Sequence, residues 1–198
     1  MKTIEVWIEG VSPLLIHKFG DQAQADSGKS TRRVQITTEL PRDIAEKGTH
    51  RDSKGGLCIA GTGISRAIAE MGAGHKQRGS RKSLKYLVPA ACVVCEDMVP
   101  LYLKDRKTRA KDFEVDSRAV VIPATKGRVM RHRARLDEWS AKFNLRLRTE
   151  ILDEATIRLL LEEAGIGNGL GDYRVQRGGP FGIFAVVCWD GDLAKKAA

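Results

Sequence analysis

The sequence predicts an α+β fold made of two β-α-β halves, with one insertion after the first strand and another between the halves. Three observations predict it. Two distant segments alternate strictly: Ile4, Val6 and Ile8 with Glu5, Trp7 and Glu9, and Phe143, Leu145 and Leu147 with Asn144, Arg146 and Arg148. Alternation puts the apolar side chains on one face, as in a half-buried strand. Each strand is followed later by a helical apolar stripe, Ile64-Ala67-Ile68-Met71 and Ile157-Leu160-Leu161-Ala164. Each stripe leads to a β-rich run, Tyr86 to Cys95 and Phe181 to Trp189.

Residues 2–9 form the first strand. The polar stretch from Asp21 to Gly56 reads as a long loop, and loops of that length are usually functional. Thr62 is placed to cap the first helix, which ends at Gly72 and Gly74. Pro89 suggests an edge or a bend in the strand that follows. Residues 100–138 hold two β-like pieces, Val115 to Ile122 and Val129 to Leu136. Asp153 caps the second helix, and Gly165 offers a glycine C-cap. The order is the ferredoxin-like, RRM-like split arrangement in a single domain over 1–198, with insertions at about 18–56 and 100–138. The sheet of such a fold commonly serves as a platform for single strands.

Lys and Arg number 34 against 25 Asp and Glu, a formal charge of +9, which points to a polyanionic partner. No apolar run approaches the roughly 20 residues that span a bilayer, so no membrane partner is expected. The charged start and the four cysteines argue against a secreted disulfide scaffold and for the cytoplasm.

Much of the charge sits in three runs. The first is His75, Lys76, Arg78, Arg81, Lys82 and Lys85. The second is Lys104, Arg106, Lys107, Arg109 and Lys111. The third is Lys126, Arg128, Arg131, Arg133 and Arg135, with His132 inside it. Arg131, Arg133 and Arg135 have period-two spacing, which on a strand lines them up about 7 Å apart, near the phosphate repeat of an extended strand. Guanidinium groups grip phosphate with two bonds and stack on bases, so this row is expected to outweigh the lysines of the second run. The plainer reading is a solvated, salt-bridged surface. The segment Gly165 to Gly182 is rich in glycine, which lets backbone approach phosphate closely. Tyr173, Arg174 and Arg177 there add a stacking ring and charge.

Three motifs carry a resemblance. Helix, Gly169-Leu170-Gly171, a short basic stretch and Gly179-Pro180-Phe181-Gly182-Ile183-Phe184 resemble the C-terminal signature of the RAMP superfamily, the backbone subunits of CRISPR effector complexes. Leu57 to Ile68 resembles the family's strand end, small polar residues and basic helix, with Ala60 where the family usually has Pro, and it contributes Thr62 and Arg66. Val11 to His17 and Asp116 to Arg128 resemble small phage- and prophage-encoded members. The resemblance implies a ferredoxin-like palm, an inserted basic thumb, and head-to-tail filaments on single-stranded RNA or DNA, with other effector-complex subunits as further partners. It also implies that an Asp after the first strand can cleave bound RNA in some members; Asp21 and Asp26 lie there.

The expected function is thus non-enzymatic single-strand binding by a homo-oligomer, without cofactor or metal. Two alternatives stand beside it: a metal-independent endoribonuclease using His17, Asp21, Asp26 or His132, and a basic scaffold for an acidic protein. Ala23 to Ser30 fits a relaxed phosphate-loop pattern, but no helical stripe follows it. Cys92 and Cys95 have zinc-ligand spacing without a second pair nearby, so both are expected in the core.

Overall fold

The computed structural model describes residues 1–18, 39–77, 79–121 and 127–190. Within them the fold is mixed α and β, with antiparallel sheets and four α-helices. Arg78, Lys126, Asp21, Asp26 and the Ala23–Ser30 segment lie outside the described residues.

The main sheet is built on β1 (Lys2–Gly10), held between β9 (Ser140–Leu147) and β10 (Phe184–Trp189). On its far edge β9 pairs with β5 (Cys92–Val94) through Leu145 and Leu147, and with β6 (Met98–Tyr102) through Ser140 and Ala141. Strands β4 (Leu57–Ala60) and β3 (His50–Arg51) extend the sheet beyond β6. The alternation sets the faces: Ile4, Val6, Ile8, Phe143, Leu145 and Leu147 are all 0% exposed. Against them pack α2 (Gly61–Met71) through Ile64, Ala67 and Ile68, and α4 (Glu154–Gly167) through Ile157, Leu160, Leu161 and Ala164. Full burial of each large aliphatic contributes about 1.5–3 kcal/mol.

A second sheet joins β2 (Leu14–Ile16) to the long hairpin of β7 (Glu114–Val121) and β8 (Arg128–Leu136), with β8 in the middle. Helix α1 (Pro41–Lys47) packs against β8 and β7, with Ala45 buried. The glycine-rich segment lies on the other face: the Asp172 N–H donates to the Leu15 carbonyl at 2.8 Å, and Arg118 stacks 4.7 Å over Phe181.

Several local expectations are corrected. The stretch Asp21 to Gly56 is not all loop: α1 and β3 lie in it, with Pro41 at the helix start, where a missing N–H costs nothing. Pro89 does the same for the short helix α3 (Val88–Ala91), so only Cys92–Val94 of the β-rich run is strand. Thr62 is not the cap of α2; Ala60 occupies that position and gives no side-chain bond. Asp153 does cap α4, its carboxylate accepting from the Thr156 N–H at 2.7 Å. Strand β10 begins at Phe184 rather than Phe181. Cys92 is buried, its thiol pushed up to about 12 by desolvation, whereas Cys95 is exposed rather than packed in the core.

Gly165 is not a C-cap but a helical residue, the cap being Asn168. A Cβ there would sit 2.1 Å from the Phe184 carbonyl oxygen, so glycine lets α4 close on β10. Ala is about 1 kcal/mol better than Gly in a free helix. Here overpacking, worth about 1–3 kcal/mol, reverses the sign. Gly165→Ala is expected to lower the melting temperature; a rise would show that α4 and β10 are further apart.

Candidate nucleic-acid interface

Where the two sheets meet the glycine-rich segment they enclose a cleft of about 260 Å³. Its floor is apolar and buried, formed by Ile16, Ile59, Ala67 and Leu170. Its polar groups are His17, from the end of β2; His50, from β3; Arg66 and Glu70, one turn apart on α2; and Asn168 and Arg174 from the glycine-rich segment. The first turn of α2 carries no acidic residue, so the N–H groups and positive dipole end of the helix add to the cationic side.

The polar wall is one hydrogen-bonded network. Glu70 Oε1 accepts from Arg66 Nε at 3.0 Å. Glu70 Oε2 accepts from Asn168 Nδ2 at 2.9 Å and from Gln176 Nε2 at 2.6 Å. Gln176 Oε1 in turn accepts from Arg174 Nη2 at 2.7 Å, and the Gly171 carbonyl from Nη1 at 3.3 Å. Desolvation works to raise the Glu70 carboxyl, but the bonds from Asn168, Arg66 and Gln176 together hold it below its ordinary range. Gly171 makes the approach of this loop possible: its φ is 75°, and a Cβ would lie 2.3 Å from the Leu15 carbonyl oxygen.

Both histidines are held below their ordinary range. Desolvation is the main cause at His17, strengthened by Arg131 and Arg133 and opposed by Asp172. At His50 desolvation again leads, strengthened by Lys18 and opposed by Asp97. Both rings are neutral at pH 7 in the free protein.

Of the residues singled out in the sequence, Arg66, Arg174 and His17 come together here. Thr62 is exposed on the first turn of α2, outside the cleft lining. Lys76, Arg81 and Lys82 are exposed on a small turn beyond the end of α2, closed by a Lys76–Ser83 bridge. Tyr173 is exposed, its ring 6.0 Å from that of Phe181, and Arg177 is exposed nearby. Arg128 and Arg131 are exposed on β8, while the His132 ring bonds to Ser117 Oγ at 2.7 Å.

The arginine row on β8 is not the uniform comb that its spacing suggests. Arg133 is 5% exposed and bonds to Asp172 at 2.6 Å, pinning the hairpin to the glycine-rich loop. Arg135 pairs with Asp137 at 2.6 Å. Only Arg131 of the three stands open to solvent.

The face of the main sheet away from the helices also departs from a simple platform. Trp7 and Tyr102 stack on each other at 5.3 Å, with Lys142 over one ring and Arg109 over the other. Those cations are matched by Glu5 and Asp52.

His50, Glu70 and Asn168 were not singled out in the sequence. No local signal marks them: Asn168 and Glu70 are 98 positions apart and meet only through folding. Among the described residues no three His, Cys, Asp or Glu side chains gather as a metal site, and no helix is long and apolar enough to cross a membrane. No protein-family model matches the chain, and no curated protein matches it significantly.

Proposed function

We propose that this chain is a non-enzymatic single-stranded nucleic-acid-binding protein that oligomerises along RNA or DNA, with a ferredoxin-like core of the RAMP type. The observation that carries the reading is the cleft at the glycine-rich loop, with Arg66, Arg174 and two histidines around an apolar floor. The +9 charge and the exposed Arg128 and Arg131 on the hairpin supply a path for the backbone beyond the cleft. The order β10-β1-β9-β5, with α2 and α4 on one face, supports the fold assignment. Phosphates take the cationic groups, bases the apolar floor and Tyr173. Among the described residues no base-reading helix is presented to a groove, so binding along most of the strand ignores sequence.

Self-association follows from a basic surface larger than one short site. Sedimentation with oligonucleotides of increasing length is expected to show protein copies added in steps. One copy on every length would contradict it.

A second reading is favoured by one observation: a neutral His17 close to the exposed Arg131 resembles a general base next to a phosphate ligand. Metal-independent RNA cleavage abolished by His17→Gln would replace the binding reading with an endoribonuclease.

A further inference from the structure

We infer that the cleft takes one base of the bound strand out of its stack and that Glu70 reads that base, favouring guanine over uracil or thymine. The inference rests on the binding reading and adds to it one position per protomer at which sequence matters.

Depth sorts the chemistry of the cleft. Ile16, Ile59 and Leu170 at the bottom are buried, and a flat uncharged ring is the part of a nucleotide that such a floor accepts. The side chain of Arg66 at the rim is 70% exposed, where the phosphate of the same nucleotide would lie. A volume of about 260 Å³ falls near the lower end of ligand pockets, about 300–1,000 Å³, and suits one nucleotide.

Glu70 is the only carboxylate on the cleft wall among the described residues, and its side chain is 17% exposed. A carboxylate offers about four lone-pair positions. Asn168 and Gln176 occupy both on Oε2, so Glu70 cannot turn away. Oε1 holds only Arg66. When a phosphate draws Arg66 outward, Oε1 is left facing the cleft with both positions open. An extruded base is read on its Watson–Crick edge. Guanine presents N–H donors there, one of which bonds to Oε1. Uracil and thymine flank their single N–H with carbonyl oxygens, which the carboxylate repels. A hydrogen bond to a charged group discriminates by about ten-fold or more.

The test uses the full chain. A short fluorescent mixed-sequence single strand is bound, then displaced with guanosine monophosphate or uridine monophosphate at neutral pH. The phosphate is common to both, so the ratio of competing strengths reports the base alone. The expected result is about a ten-fold advantage for the guanosine nucleotide in the native chain, with the ratio collapsing towards one in Glu70→Gln. Equal competition in the native chain overturns the inference while leaving strand binding intact, as does a preference that survives Glu70→Gln in folded protein. Failure of the labelled strand to bind at all overturns the binding reading itself.

Discussion

Asp172→Asn is expected to destabilise the chain by about 3 kcal/mol, more than Arg133→Met does, although the two side chains form one ion pair. The pair is lopsided. The Arg133 side chain is 6% exposed and that of Asp172 is 35% exposed. Arg133 Nη1 is buried without a hydrogen-bond partner. Removing the aspartate leaves a buried guanidinium with its main counter-charge gone. Removing the arginine takes away the buried charge and its orphaned N–H together, and the aspartate can turn to water. Asp116, paired in register with Arg133 across the hairpin, is satisfied by Arg118 at 2.7 Å and does not need it. Arg133→Met should therefore cost about 1 kcal/mol or less. In a chain of this size about 3 kcal/mol lowers the melting temperature by roughly 6–12 °C. Thermal melts of both variants check the order, and a larger loss for Arg133→Met would show that the arginine is held by something other than Asp172. Neutralising Arg131, Arg133 and Arg135 together would confuse folding with binding; Arg131 alone is the informative change.

Lowering the pH from 7.5 to 5.5 should tighten single-strand binding beyond what salt effects give. The neutral rings of His17 and His50 line the cleft, and phosphate beside them favours the protonated form. Binding then takes up protons in the window between their lowered values in the free protein and their raised values in the complex. Each proton taken up strengthens binding by at most about ten-fold per pH unit. Stability moves the other way. A folded-state pKa below the unfolded one means that the unfolded chain takes the proton first. Stability therefore falls as pH drops from about 6.5 through the folded-state values. Fluorescence anisotropy at constant ionic strength separates the two. The native chain should show the extra gradient, and the variant with both His17→Gln and His50→Gln should lose it. An unchanged gradient in that variant would place the titrating groups elsewhere.

Much of the fold is legible in the sequence where one physical signal dominates. Alternation places β1 and β9, because a one-residue slip would turn Ile4, Val6 and Ile8 out to water. Asp153 announces α4 through its own cap bond. Signals fail where they have two meanings. Proline before a β-branched run reads as a bent strand, yet Pro89 starts a helical turn. Gly165 reads as a cap, yet it serves a close helix–strand contact with a carbonyl some 19 positions on, at Phe184. Helix α1 escapes notice because it buries only Ala45 and so has no apolar stripe. In the cleft, Arg174 is legible because charge and glycine mark its neighbourhood, and Arg66 only through the resemblance carried by Leu57 to Ile68. Glu70 is not, because a lone acid on a basic helix looks like an i, i+4 partner for Arg66, which it also is. Arg133 misleads in the opposite sense: its spacing marks it for phosphate, and only the loop carrying Asp172 shows where it points.

The central claim is that the cleft and hairpin bind the backbone of a single strand, and salt tests it most directly. Each phosphate neutralised on a single strand contributes about −0.7 to the slope of log affinity against log salt. About four to six contacts per protomer give a slope of roughly −3 to −4. Affinity for mixed-sequence single strands is measured by anisotropy from low to high salt. A slope in that range, shallower by about 0.7 in Arg131→Gln, is the result the account predicts. An affinity that does not change with salt would contradict it.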